Sequence, residues 1–192
     1  MGATGISFQW FDLVAVTLIF VGVFHGRKNG MSQELFNTLK WLIMMALAPL
    51  LYQPLGKLLL KVAPLKAMYV YVGSFVLIAA IVKLALGSVR KKIKDKMSGS
   101  DVFGSAEYPL GMLAGAFQYS CLLIMLVACL NAKYIDEEEL QRQEAAQREA
   151  MGERFFPTSG NLHKDALGSI SGQFIRKYFK FQLITPVGQP AK

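Results

Sequence analysis

The feature that most constrains this chain is its series of long apolar stretches, of which residues 110–130 contain no Asp, Glu, Lys or Arg. A helix needs about 20 mainly apolar residues to cross the hydrocarbon core of a bilayer. Four stretches meet or approach this length, at residues 8–24, 35–52, 67–86 and 110–130. In a soluble bundle each helix would carry a charged face, and a chain of 192 residues is too short to bury such apolar helices in one core. The sequence therefore predicts a four-helix transmembrane domain over residues 8–133.

Basic residues beside the apolar stretches predict the orientation of the chain in the membrane. The first and third connecting loops together hold seven basic residues: Arg27, Lys28, Arg90, Lys91, Lys92, Lys94 and Lys96. The opposite side of the predicted bundle offers four: Lys57, Lys61, Lys66 and Lys133. Because Lys and Arg accumulate in cytoplasmic loops, we expect both of the first-named loops in the cytoplasm and both termini outside it. The excess basic charge lies in the apolar part of the chain, which argues against nucleic acid as a partner.

The last third of the chain, residues 134–192, differs in composition from the apolar part. Residues 134–153 hold 7 acidic residues and 2 arginines and are rich in the helix-forming residues Glu, Gln and Ala. They predict a solvated helix, with a coiled-coil partner face as the alternative. The predicted fold class is thus an all-α membrane protein with four transmembrane helices plus a helical extracytoplasmic C-terminal extension.

A second helix of the extension is predicted at residues 166–181, where apolar side chains recur at helical spacing beside basic ones. We expect this helix to lie on the membrane surface, with docking onto the transmembrane bundle or a partner as the alternative. The residues of this candidate membrane-surface helix are Phe174, Ile175, Arg176, Lys177, Tyr178 and Lys180.

Glycines recur every four residues at the predicted cytoplasmic end of the bundle. Gly22, Gly26 and Gly30 follow this spacing at the end of the first span, and Gly111 and Gly115 follow it at the start of the fourth. Small residues four apart form a smooth stripe that allows two helix backbones to approach closely in lipid. We therefore expect the first and fourth spans to pack together near this end.

Four charged residues near the same end form a candidate polar cluster: Arg27, Glu34, Lys83 and Glu107. We favour a structural explanation, because a carboxylate at a helix N-terminus is stabilised by the macrodipole. The sharper hypothesis is a set of ion pairs, Glu34 with Lys83 and Glu107 with Arg27, that fixes the bundle or lines a polar path. Charge inside a membrane is costly and often functional.

The sequence contains no motif for catalysis or for cofactor or metal binding. HExxH, GxSxG and phosphate-binding glycine loops are absent, and His163 and Asp165 have no nucleophile beside them. Cys121 and Cys129 lie eight residues apart on one predicted helix, and that spacing of about 12 Å along the axis is too long for a disulfide. We expect no enzymatic activity, no catalytic residues, no cofactor and no metal.

Two short motifs in the chain are informative together. The first joins an early Asp and a Gly of the first span to a turn and a Trp of the second helix: Asp12, Gly22, Gly30, Glu34 and Trp41. The second is an acidic-Arg-x-x-Gly-x-x-x-Gly pattern, matched by Glu107, Gly111 and Gly115. In both motifs the chain resembles the CvpA (colicin V production protein) family of bacterial inner-membrane proteins. The resemblance covers about residues 10–130. Asn29, Gln33 and Tyr108 stand where the family pattern has arginines, so a ligand held by those arginines would be bound differently here.

The resemblance implies a location in the bacterial inner (cytoplasmic) membrane and a link to colicin V production or export and to envelope stress homeostasis. Some relatives append an extracytoplasmic protease after the bundle, which agrees with the orientation expected from loop charge. The family has no established catalytic residues. We expect a membrane scaffold or accessory subunit, with an oligomeric transporter or channel component as the alternative. Its expected partners are the lipid bilayer and either further copies of the chain, as a homo-oligomer, or other membrane or envelope proteins.

Overall fold

A computed structural model describes residues 9–62, 66–97, 103–133, 141–142, 145–146 and 159–186. The helices in this part of the chain are α1 (Trp10–Val62), α2 (Ala67–Met97), α3 (Glu107–Asn131), α4 (Ser159–Gly168) and α5 (Ile170–Tyr178). Short 3-10 turns precede α3 at Gly104–Ala106 and follow α5 at Lys180–Gln182. The described residues include no strand, so the all-α fold class predicted from the sequence is confirmed.

Helix α1 folds back on itself at Gly30, whose backbone has φ 74° and ψ 166°. His25 Nε2 lies 3.8 Å from Glu34 Oε1, whereas a straight helix would separate these residues by about 13 Å along its axis. Helix α1 therefore consists of an N-terminal arm, residues 10–29, and a C-terminal arm, residues 31–62, which lie side by side. A positive φ is freely accessible to glycine, so one residue makes this reversal.

The long helices agree in position with the apolar stretches of the sequence. Helices α1, α2 and α3 are each long and apolar enough to cross a membrane. The predicted spans at 8–24 and 35–52 fall in the two arms of α1, and those at 67–86 and 110–130 fall in α2 and α3. The expected loop between the first two spans is helical except at Gly30. The number of crossings, four, stays a prediction.

Two apolar clusters hold the described helices together. One joins the C-terminal arm of α1 to α2, α3 and the end of the chain, through Met44, Ala48, Tyr52, Phe75, Ile78, Val82, Ala128, Ala132 and Ile184. The other joins the N-terminal arm to α3, α4 and α5, through Phe11, Ala15, Leu123, Ile124, Val127, Ala166, Leu167 and Ile175. Many other large apolar side chains of the long helices are exposed, including Leu13, Leu84 and Leu113. Such a surface is compatible with lipid and not with water.

The predicted helix at residues 166–181 is two helices, because the chain breaks at Ser169. Ser169 is the N-cap of α5, with an extended backbone (φ −62°, ψ 162°) and a side chain that accepts a hydrogen bond from the Gly172 N–H. Gly172 packs so closely on the Ala166 carbonyl that a Cβ has no room there. The break turns Ile175 onto the bundle, so Ile175 is buried and does not belong to an outward membrane-surface face.

The predicted solvated helix at residues 134–153 lies outside the described residues, except for 141–142 and 145–146. Those four residues are helical and exposed.

Candidate functional site

The N-terminal arm of α1 and helix α3 meet along the two glycine stripes. A Cβ built on Gly22 would lie 2.7 Å from the Gly115 carbonyl oxygen, and one built on Gly26 would overlap the Gly111 carbonyl. Real Cβ atoms do not come this close to a backbone oxygen, so larger residues would force the helices apart. The stripes therefore fix the distance between the two helices, and all five glycines singled out from the sequence lie at this interface.

The carboxylate of Glu34 lies beside this interface and is completely buried, with 0% of the side chain exposed. It accepts hydrogen bonds from Asn29, from Asn37 Nδ2 at 3.0 Å and from Gln118 Nε2 at 2.7 Å. Gln118 Nε2 also donates to Thr38 Oγ1 at 3.2 Å. A buried carboxylate is tolerated only when such donors replace water, so these amides make the burial of Glu34 possible.

The cluster around Glu34 reaches the protein surface through His25. The His25 side chain is 51% exposed, and its Nε2 lies 3.8 Å from Glu34 Oε1. Asn29 Nδ2 lies 3.0 Å from the same ring nitrogen. An exposed imidazole is therefore in contact with a buried carboxylate.

Glu107 closes the turn at Gly30 from the side of α3. Its Oε1 accepts from the Ser32 backbone N–H at 2.7 Å, and its Oε2 accepts from the Ser32 hydroxyl at 2.9 Å. A Cβ on Gly30 would lie 2.6 Å from Glu107 Oε1. Ser32 is at the start of the C-terminal arm, where helix N–H groups lack intrahelical partners, so Glu107 caps that arm from another helix.

The predicted ion pairs of this cluster are wrong. Glu34 and Glu107 are bound by neutral amides and by Ser32, while Lys83 and Arg27 point outward and form no ion pair within the described ranges. The physical reason is that a cation buried beside Glu34 would carry its own desolvation cost. The structure thus brings two of the four predicted cluster residues, Glu34 and Glu107, to the turn at Gly30.

A second polar contact, missed by the sequence reasoning, joins Asp12 to the C-terminal segment, residues 159–186. Asp12 is only 3% exposed, and it accepts hydrogen bonds from the backbone N–H groups of Ser171 at 2.8 Å and Ile170 at 3.2 Å. The Ser169 hydroxyl accepts a hydrogen bond from the next N–H of α5, that of Gly172. Asp12 therefore caps α5 from the start of the N-terminal arm, where negative charge is also favoured by the helix dipole. The sequence does contain a signal for this contact, because Asp12 is an isolated acid in an apolar stretch.

Both ends of the C-terminal segment are also fastened to the bundle. His163 Nε2 donates to the Leu130 carbonyl at 2.6 Å, and Asn131 Nδ2 donates to the Ile184 carbonyl at 2.9 Å. Near its end the segment donates from the Thr185 N–H to the Tyr52 hydroxyl at 3.2 Å. These contacts, with the buried apolar side chains of α4 and α5, dock the segment on the bundle.

The environment of His163 disfavours its protonated form. Burial lowers the pKa of the imidazole, and the positive charges of Lys133 and Arg176 lower it further, against the opposing effect of its hydrogen bond to the Leu130 carbonyl. The neutral ring is therefore the form that docks.

The outward face of α5 is basic and aromatic. Phe174 and Tyr178 are exposed, and their rings pack together at a centroid distance of 4.7 Å. The ammonium of Lys177 lies 5.2 Å from the centroid of the Tyr178 ring. With Arg176 and Lys180 these side chains line a shallow groove of about 640 Å³. Five of the six residues predicted for the candidate membrane-surface helix therefore remain available for binding.

The described residues contain no group of three or more His, Cys, Asp or Glu side chains placed to hold a metal ion. Cys121 and Cys129 are free thiols.

An all-α fold with three helices apolar enough to cross a bilayer, joined by glycine contacts and buried carboxylates, defines a helical integral membrane protein. Residues 11–151 match the family model described as colicin V production protein, and the chain belongs to that family. The match includes Asp12 and the cluster at Gly30, and it ends before the docked C-terminal segment. No curated protein and no solved structure showed significant similarity to the chain.

Proposed function

We propose that this protein is a scaffold or accessory subunit of the bacterial inner membrane that acts in colicin V production, as its family membership suggests. We extend the proposal to colicin V export and to envelope stress homeostasis. The proposal rests on the hydrogen bonds that the carboxylates of Asp12, Glu34 and Glu107 accept. Each of these carboxylates holds one part of the chain against another. Polar groups committed to internal hydrogen bonds stabilise a bundle rather than bind a substrate.

The surfaces left for partners are on the outside of this bundle. Large apolar side chains cover the long helices, and the basic, aromatic face of α5 projects from the docked C-terminal segment. Both are suited to lipid, to a second copy of the chain or to other membrane and envelope proteins. We propose that these surfaces, rather than a catalytic site, carry the function, and that the protein is not an enzyme.

The alternative function is that of an oligomeric transporter or channel component. Exposed His25, buried Glu34 and the Gln118–Thr38 pair form a polar series that leads from the surface into the bundle. Polar groups at these depths often mark an ion or proton path. The series favours transport as the second candidate.

Purified protein distinguishes the two functions. The mass of the complex in detergent gives its subunit number, and ion or proton flux into liposomes tests for transport. The scaffold proposal predicts no flux from the protein alone and a partner that co-purifies from native membranes. Flux that is lost in Glu34→Gln, with unchanged folding, would reject the scaffold role and establish the transport role.

The proposed orientation, with both termini outside the cytoplasm, is tested separately. A cysteine is placed at Ser159 in a chain whose own two cysteines are replaced, and intact cells are treated with a membrane-impermeant thiol reagent. Labelling is expected. Protection in intact cells together with labelling in opened cells would reverse the orientation.

A further inference from the structure

We propose that an anionic phospholipid binds at the Gly30 end of the bundle, in a groove between the N-terminal arm of α1 and helix α3. The groove has a volume of about 590 Å³. It is lined by Phe24, Arg27, Lys28, Tyr108, Pro109 and Met112. The headgroup phosphate is held at the basic rim, and the acyl chains follow the apolar helix surfaces. The proposal requires membrane insertion but not the scaffold role.

The groove exists because the two helices meet through glycine. At Gly26 and Gly111 the backbones are in contact, with no room for a Cβ on either residue. Larger side chains flank this contact and form the walls of the groove. They are Phe24 and Arg27 on the N-terminal arm and Met112 on α3. Because the backbone contact fixes the helices, the groove is formed before any ligand arrives.

The charges at the rim match a phosphate group. Arg27 and Lys28 are exposed and form no ion pair within the part of the chain that the structure describes. The nearest acid on α3, Glu107, has both oxygens engaged by Ser32 at the turn. Basic groups between membrane helices, at the level of the headgroups, are typical of sites for anionic lipids. Tyr108 adds an amphipathic ring at the same level.

Apolar surface continues from the groove along both helices, which selects a lipid over a soluble anion. Phe24 is 66% exposed, and Phe20, one turn further into the apolar arm, is 60% exposed. On α3, Leu113 follows Pro109 by four residues and is 68% exposed. Residues four apart lie on one helix face, so each helix offers an apolar strip below the basic rim. A free phosphate would make no contact with these apolar strips.

The experiment titrates the purified full-length protein, in detergent, with phosphatidylglycerol or with phosphatidylcholine of the same acyl chains. Bound lipid is counted by native mass spectrometry. The test variant is Arg27→Gln/Lys28→Gln, which removes two exposed charges at the groove. The matched control is Lys57→Gln/Lys61→Gln, which removes two exposed charges elsewhere on α1.

The wild-type protein and the control are expected to prefer phosphatidylglycerol. The test variant is expected to bind it about 30-fold more weakly, because each basic group near an anionic headgroup strengthens binding about fivefold. Phe24→Ala is expected to weaken binding of both lipids, and millimolar inorganic phosphate is expected not to displace phosphatidylglycerol.

Three results would overturn the proposal. They are equal binding of the two lipids by the wild-type protein, an equal loss in the test variant and the control, and displacement by inorganic phosphate, which would indicate a site for free anions. Unfolding temperatures of all variants are measured in parallel, and the exposed positions of Arg27 and Lys28 predict no change. A failure here leaves the scaffold proposal intact, since that proposal is tested by flux and co-purification.

Discussion

Replacing Asp12 by alanine is expected to release the C-terminal segment from the bundle while the bundle itself stays folded. Asp12 accepts hydrogen bonds from the N–H groups of Ile170 and Ser171, at 3.2 and 2.8 Å. Both donors are in the first turn of α5 and have no partner within that helix. The substitution therefore removes a cap and leaves the partly buried N–H groups of Ile170 and Ser171 without an acceptor. It also removes the acceptor of the Gln9 N–H, at 3.1 Å next to the start of the N-terminal arm.

The magnitude follows from these contacts. Loss of a capping side chain costs about 0.5–2 kcal/mol, and each N–H left without a partner adds about 1–3 kcal/mol. The variant no longer has to bury a carboxylate, which offsets part of this loss. We expect docking to weaken by about 2 kcal/mol, or roughly 30-fold in the undocked population. Asp12→Asn keeps one acceptor oxygen and is expected to show a smaller effect.

The assay measures how often the buried face of α5 becomes accessible. Ile175, which is 4% exposed, is replaced by cysteine after Cys121 and Cys129 have been removed, and the rate of thiol labelling is recorded. The control is Asp165→Ala, which removes an acid whose carboxylate accepts no hydrogen bond within the described ranges. Labelling is expected to rise about 30-fold in the Asp12 variant and to stay unchanged in the control.

Two outcomes would refute this reasoning. Equal labelling of the Asp12 variant and the control would mean that the cap contributes nothing to docking. Faster hydrogen exchange throughout α2 and α3, and not only in the segment 159–186, would mean that the bundle unfolds and that docking is not a separate step.

Three further predictions concern the bundle and its pH dependence. Gly26→Ala is expected to destabilise the protein by about 1–3 kcal/mol, because its Cβ would overlap the facing carbonyl. The matched Gly73→Ala, with open space around its Cβ, is expected to be harmless, and equal thermal midpoints would contradict the close contact. Glu34→Ala is expected to cost about 3 kcal/mol in an unfolding titration, because three amide donors lose their acceptor; stability equal to that of the wild type would contradict this. The pKa of His163 is lowered from 6.5 in the docked state. The undocked ring therefore takes up its proton first, and docking is expected to weaken as the pH falls below about 6.5 and to be constant above it. The accessibility of the Ile175→Cys thiol to labelling is therefore expected to increase as the pH falls below about 6.5. The His163→Gln substitution is expected to abolish this increase.

The long helices were predictable because a helix that crosses a bilayer needs about 20 mainly apolar residues, and such stretches can be read from the sequence. The approach of the N-terminal arm to α3 was also visible in the sequence, since glycines four apart have few other uses in an apolar helix. The form of the reversal at Gly30 was not visible. The basic residues Arg27 and Lys28 suggested a loop of several residues, yet one residue with a positive φ makes the turn.

The partners of the buried acids were harder to predict than the acids themselves. Charge complementarity suggested a lysine for Glu34, but its donors are uncharged amides, one of them Gln118 in the uncharged stretch 110–130 of α3. The partners of Asp12 are backbone N–H groups. Every residue except proline has such a group, so no side-chain pattern reveals the contact, and only the fold brings it together.

The cap on α5 has a consequence for biogenesis. The ribosome makes Asp12 well before its two distal hydrogen-bond donors, Ile170 and Ser171, which follow it by 158 and 159 residues. While the intervening chain is translated, that carboxylate therefore lacks these two donors. A chain stopped before residue 170 would retain the acid without those donors, and so expose an unfinished product to proteolytic surveillance. The cap that joins Asp12 to α5 can therefore form only after residue 171 has been made.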